Sequence, residues 1–479
     1  MLFNSLHFLV FFPIVVAIYF SLKARYRWVF LLLSSYYFYM CWNPKYIVLI
    51  LFSTMIDYIA GLQMEKQTKP RIRQFFLIAS LCSNLGLLFL FKYYTFFSQS
   101  VLTMFNQFNI FVDFPAFDFL LPVGISFYTF QTLSYTIDVY RGKKKAERHL
   151  GIFALYVAFF PQLVAGPIER STRLLPQLFE KKRFDYQRVS DGLKLMLWGF
   201  FKKVVIADRL AVMVDSVYNS AHDYTGIPLI VATYFFAFQI YCDFSGYSDI
   251  AIGAAQVMGY DLMDNFKRPY FSKNISEFWK RWHISLSSWF KDYLYISLGG
   301  NRVAKWRWYS NLMIVFLISG LWHGADWTFV IWGGLHGMYL TLSIWTGKFR
   351  IKFIRSTHLD KHPAWLKLIQ VVTTFHLVLF GWIFFRANNL FDALYIIKNI
   401  FADLSWHQYT VGLNQTEFVI AVLSILFMEC IHMMQRHRRM RQFLNNKPKT
   451  LRWSVYLILL LSIIMFGVFT KQEFIYFQF

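Results

Sequence analysis

The chain has 479 residues, of which 57% are hydrophobic, 21% aromatic and only 16% charged, against about 25% charged in a soluble domain. Too few charges remain to cover the several soluble domains that this length would otherwise allow, and disorder is excluded for the same reason. The net charge of +23 sits in short clusters between apolar runs, as in cytoplasmic loops, so no nucleic-acid partner is needed to explain it. What remains is an all-α polytopic membrane protein in contact with lipid.

The first apolar run, 2–22, is followed rather than preceded by its basic residues Lys23, Arg25 and Arg27. A cleavable signal has the opposite order, so this span is expected to be kept. Further runs long enough to cross about 30 Å of hydrocarbon lie at 45–62, 74–97, 118–139, 228–257, 367–385, 416–434 and 453–470, with shorter or interrupted ones near 28–42, 150–168 and 193–217. The stretch 309–346 has room for two helices with a break at Gly320–Asp326. Pro161 and Gly166-Pro167 interrupt 150–168, which reads as re-entrant. No internal period appears, so residues 1–479 form a single integral-membrane domain ending in a tail, 471–479.

Basic clusters at 23–27, 66–73, 141–148, 170–209, 267–307, 348–367 and 436–452 are placed in the cytoplasm by the positive-inside rule. The gap between Lys92 and Arg141 has no Lys or Arg, and the gap between Arg386 and Arg436 has only Lys398, so both face outward. The crossings then number about twelve, with both termini outside. The cysteines Cys41, Cys82, Cys242 and Cys430 show no metal-binding spacing, and no metal is expected.

Between Lys267 and Trp308 the chain is neither apolar enough to span nor polar enough to lie free in water. Asn274 with Glu277 makes a capping-box-like start. Trp279, His283, Leu286 and Phe290 then share one face of a helix expected to lie in the cytoplasmic interface.

Polar groups inside membrane segments are costly unless paired, and so are candidates for function. His323, in Gly320-Leu321-Trp322-His323-Gly324-Ala325-Asp326, lies about fifteen helical residues, or roughly 22 Å, from Trp308. An imidazole at that depth can take a proton from a hydroxyl and return it. Alternatively it is a structural histidine bonded to Asp326 or to a carbonyl. His283 on the interfacial helix reads as packing or as a second site residue, and His7, His336 and His376 have weaker claims. Tyr241–Asp249 places Asp243, Ser245 and Asp249 in an apolar span, either as a helix-packing knot or as the lining of a polar tunnel. The tail carries Tyr476, which is either part of an aromatic anchor or a hydroxyl able to reach a pore.

Taken in order, Phe127–Gln131, Pro161–Ile168, Tyr241–Gly253, Asn265–Tyr270, Phe278–His283, Leu298–Arg302 and Trp322-His323-Gly324 resemble the membrane-bound O-acyltransferase family, in its bacterial polysaccharide-acetylating branch. The resemblance covers nearly the whole chain. It implies a bundle of about twelve transmembrane helices, with re-entrant and interfacial helices, around a central tunnel in the bacterial cytoplasmic membrane. His323 takes the position of the family's catalytic histidine, and His283 that of a second histidine facing the tunnel. Trp322, Asp326, Asp243, Ser245, Asp249, Asn274 and Trp279 are expected to line it. Acetyl-CoA is the implied donor, a substrate rather than a bound cofactor, with Lys267, Arg268, Lys280, Arg281 and Arg302 available to its phosphates. Tyr476 matches an acyl-relay motif that hands its group to an SGNH-type partner acting on a polysaccharide outside. The rivals are D-alanyl transfer from a carrier protein, a glycan transporter and a scaffold for an export complex.

Overall fold

The computed structural model describes residues 1–110, 114–115, 121–405, 409–435, 443–444, 446–469 and 474–475. Among these the chain is helical, with no strand. It forms two compact units, one of residues 1–193 and 250–263, the other of 194–249 and 264–479.

In the first unit, helices α1 (Leu6–Ser21), α2 (Ala24–Met40), α3 (Ile47–Lys66), α4 (Pro70–Leu88), α5 (Tyr94–Gln107) and α6 (Ile125–Tyr140) follow one another. The core of α3, α4 and α6 is polar at its centre. Asp57 is fully buried; Asn84 Nδ2 donates to both its carboxylate oxygens at 3.0 Å, and Ser80 Oγ and Thr136 Oγ1 donate at 2.5 and 3.2 Å. Neutral donors thus offset the desolvation of a charge that would be costly alone. The expected re-entrant stretch is two short helices, α7 (Leu150–Ala158) and α8 (Phe160–Leu163). Residues 152–169 are buried without interruption, and nine helical residues in α7 rise only about 14 Å. The unit is completed by α9 (Ser171–Phe179) and by parts of two helices shared with the second unit.

Those are α10 (Tyr186–Phe200) and α12 (Ile227–Met258). α10 passes through a π-helical stretch, Phe201–Ala207, into α11 (Asp208–Tyr218). Next come the short α13 (Ile275–Trp279) and α14 (Ile284–Trp289), then the hairpin α15 (Lys305–His323) and α16 (Trp327–Trp345). α17 (Gly347–Ser356), α18 (Pro363–Arg386), α19 (Leu390–Asn399), α20 (Gln415–Gln435) and α21 (Lys449–Phe466) complete the second unit.

Among the described residues, six helical segments are long and apolar enough to cross a membrane: Pro44–Lys66, Pro70–Gln107, Ile227–Met258, Pro363–Arg386, Gln415–Gln435 and Lys449–Phe466. The sequence count is about twelve. The other apolar runs form shorter helices such as α1 (16 residues), or helices diluted by polar and small residues. α16, for instance, carries His336 and the glycines at 333, 334 and 337.

The interfacial helix expected from Asn274 onward is not continuous. α13 ends at Trp279, and α14 starts only after His283, whose backbone is left-handed (φ 42°). The face Trp279, His283, Leu286 and Phe290 is nevertheless buried throughout. A second correction concerns charge. Lys202, Lys203 and Arg209, counted with the loop cluster 170–209, are only 3%, 5% and 6% exposed. They belong to a helical core rather than to a loop.

Candidate active site

His323 is the last residue of α15 and is held there by glycines. A Cβ on Gly320 would stand 2.3 Å from the Phe329 carbonyl oxygen, and one on Gly333 would stand 2.2 Å from that of Phe316. The two helices therefore touch backbone to backbone where they cross. A Cβ on Gly324 would meet the Phe329 ring at 2.1 Å, which is why the residue after the histidine is glycine. The helical break falls at Gly324–Asp326, inside the expected one, and Asp326 Oδ1 caps α16 by accepting from Thr328 N–H at 2.8 Å.

The His323 side chain is 3% exposed. Its ring packs against Trp322 (4.8 Å between centroids), edge-on against Trp332 (4.9 Å) and against Phe385 of α18 (5.4 Å). Trp332 in turn stacks on Trp382 at 5.9 Å. Such pairs contribute about 0.5–1.5 kcal/mol each beyond the area they bury, and here they fix the imidazole plane. Trp322 also faces His283, at 6.1 Å. The two candidate histidines, 40 residues apart in the sequence, therefore share one indole.

His283 is fully buried and stands edge-on to Phe244 at 4.6 Å. Its Nδ1 is 3.2 Å from Asn265 Oδ1. The same Oδ1 takes the Ser285 hydroxyl at 2.7 Å and the Ser285 backbone N–H at 3.3 Å. A backbone N–H can only donate, so this atom is the amide oxygen, and His283 Nδ1 carries the proton. Nε2 is left as the basic nitrogen. Burial pushes the imidazole pKa down to about 3, so the ring is neutral at physiological pH. Asn265 Nδ2 donates onward to Ser248 Oγ at 3.2 Å. Asn265 lies in a quoted motif, but spacing gave no sign that it orients a histidine. Asn265→Ala is expected to lower the acyl-transfer rate by about 10-fold or more, as the loss of a ring-orienting partner does, with Asn265→Asp restoring part of it. Turnover of labelled donor by purified variants checks this.

Asp243, Ser245 and Asp249 on α12 are not a polar lining on their own. The π-helical stretch aims two successive lysines at them. Lys202 Nζ lies 2.8 Å from Asp249 and donates to Ser245 Oγ at 2.9 Å. Lys203 Nζ lies 2.8 Å from both Asp243 and Asp208. A regular α-helical period in this stretch would not reveal this pairing. Asp243 Oδ2 accepts the backbone N–H of Ile475 at 2.9 Å, and the Phe474 ring lies 5.8 Å from Phe244 and 4.8 Å from Tyr247. Phe474 and Ile475 are each 2% exposed. The tail is thus built into the second unit at this point, one aromatic ring from His283. Tyr476 lies outside the described residues.

The other expected residues are more dispersed. Trp279 donates its indole N–H to His336 Nδ1 at 3.3 Å and packs 5.7 Å from Trp332, behind the ring that contacts His323. Asn274 is exposed, with Oδ1 accepting from Glu277 N–H at 2.8 Å, while Glu277 Oε2 accepts from Lys273 N–H at 2.8 Å. Of the basic set, Lys267 N–H donates to the Arg281 carbonyl at 2.9 Å, which brings 267–268 and 280–281 to one turn. Lys267 pairs with Asp264 at 3.3 Å and Arg281 with Glu277 at 2.5 Å. Lys280 is exposed, and Arg302 is exposed on the loop after Gly300.

Comparison with known proteins identifies the family. Residues 148–387 match the membrane-bound O-acyltransferase family. The chain is 41% identical over 438 residues to the "Probable alginate O-acetylase AlgI" of Pseudomonas putida, covering 89% of this chain and 87% of the relative. It is 36% identical over 432 residues to the peptidoglycan O-acetyltransferase of Helicobacter pylori, covering 84% and 80%. With the teichoic acid D-alanyltransferase of Bacillus subtilis the identity is 28% over 291 residues, covering 57% and 71%. The transporter and scaffold readings give way to acyl transfer. The chain belongs to the membrane-bound O-acyltransferase family and is an O-acyltransferase.

Proposed function

We propose that this protein acetylates a polysaccharide outside the bacterial cytoplasmic membrane, drawing the acetyl group from acetyl-CoA on the inner side. The reading rests on one observation above the others. Two buried histidines share the Trp322 ring, and the chain's tail is packed against the Phe244 ring that covers one of them. The alginate and peptidoglycan acetylases among the relatives support the acceptor class.

In this reading Tyr476, the residue after Ile475, is the first acceptor. A phenol with a pKa near 10 needs a base, and His323 takes its proton. The phenolate oxygen attacks the thioester carbonyl; the O–C bond forms, the C–S bond breaks, and the CoA thiolate takes the proton back from His323. His283 orients the thioester, and Lys267, Arg268, Lys280, Arg281 and Arg302 meet the CoA phosphates. An SGNH-type partner then moves the acetyl group from Tyr476 to a sugar hydroxyl.

The test is purified protein given isotope-labelled acetyl-CoA, with mass spectrometry of the C-terminal peptide. Label on Tyr476 that disappears in His323→Ala and Tyr476→Phe is the expected result. Thioester hydrolysis that depends on His323, with no label on the peptide, would remove the relay and keep the transferase. The Bacillus subtilis relative favours a second reading, D-alanyl transfer from a carrier protein. It predicts no turnover of acetyl-CoA and transfer only from the acylated carrier.

A further inference from the structure

We infer that the buried triad Lys203–Asp208–Asp243 is a latch for the chain's own segment at Phe474–Ile475. In the triad one ammonium stands between two carboxyl groups at 2.8 Å each. All three residues are 5% exposed or less, so the Asp243 oxygens have to find their donors within the protein. Asp243 divides its oxygens between two tasks. Oδ1 faces Lys203, and Oδ2 accepts the Ile475 backbone N–H at 2.9 Å. That bond is charge-assisted, and a backbone donor suits it because it brings no second charge. Without the tail, the oxygen would lose this donor.

Upstream contacts steer the segment to the same place. Arg209 Nη2 donates to the Phe466 carbonyl at 2.6 Å where α21 ends, and Val468 N–H donates to the Val204 carbonyl at 2.9 Å. Phe466 and Val468 therefore lie along the π-helical stretch that carries Lys203 and its continuation at Arg209. At its end the Phe474 ring lies on Tyr247 and Phe244, and Phe244 lies on His283. The latch thus fixes where Phe474 and Ile475 stand relative to Phe244 and, through it, to His283. Its structural role stands without the acyl relay, whereas its effect on turnover rests on that proposed reading.

Hydrogen exchange read by mass spectrometry on the full-length protein in detergent tests it. Ile475→Pro deletes the donated N–H and leaves the triad intact. Ile475→Ala keeps the N–H and loses only side-chain packing. In the unsubstituted protein the C-terminal peptide should exchange slowly. In Ile475→Pro it should exchange at least about tenfold faster than in Ile475→Ala, with the peptides of α15 and α16 unchanged in both. A tail that exchanges at the free-peptide rate in the unsubstituted protein overturns the latch, and so does equal protection in the two variants. If the latch result holds while no acetyl label reaches Tyr476 in any protein, the latch stands and the relay falls.

Discussion

His323→Ala is expected to lower kcat for acyl transfer by about 100- to 10,000-fold, the range a positioned general base supplies, with little change in KM for the donor. The geometry gives the reason. The ring is gripped on three sides by Trp322, Trp332 and Phe385, so no nearby side chain can swing in to replace it. The fold should survive, because the hairpin is held by the glycine contacts at Gly320 and Gly333 rather than by the imidazole. Steady-state kinetics with labelled donor, beside a thermal melt, separates the two effects. His323→Gln should be nearly as inactive, since an amide cannot take a proton. A variant retaining more than about a tenth of the activity would move the base elsewhere.

The second large effect concerns two adjacent glycines. Gly333→Ala puts a Cβ 2.2 Å from the Phe316 carbonyl oxygen, and a backbone atom cannot step aside as a side chain can. The helices must part, at a cost of about 1–3 kcal/mol or more. His323 moves with α15, so activity should fall with stability. Gly334→Ala is the control. Its Cβ would meet only Leu317 Cδ2, at 3.6 Å, an ordinary contact, and alanine gains up to about 1 kcal/mol over glycine in a helix. Opposite shifts in melting temperature are therefore expected from neighbouring positions, with acyl transfer lost only in Gly333→Ala. Equal effects would mean that the hairpin does not cross at Gly333.

Much of this was legible in the sequence where the signal is local. The break between α15 and α16, the Asn274 cap and the short interrupted segment before Ile168 follow from glycine, proline and capping chemistry within a few residues. What was illegible is non-local. The kink at His283 lies inside an apparently regular apolar period, and nothing in that period marks a left-handed residue. Lys202 and Lys203 read as loop charges because Asp249 and Asp243 lie 47 and 40 residues downstream, and only the π-helical turn brings Asp208, five residues on, against Lys203. Asn265 looked like one polar residue among several until Ser285 fixed the direction of its amide. Residue identity picked out the histidines, and only the fold shows that they meet at Trp322.

The π-helical stretch Phe201–Ala207 has one more consequence. A π-turn is an α-helix carrying one surplus residue, and each helical residue advances the direction of its side chain by about 100°. Removing any one residue there would let the helix close up as an ordinary coil, with little loss of backbone bonding. It would also re-aim the side chains inside the stretch, so that Lys202 and Lys203 would no longer both point at Asp249, Asp243 and Asp208. Insertions and deletions in this stretch should therefore be far rarer among functional variants than exchanges of apolar residues. What is preserved there is less the spelling than the number of letters.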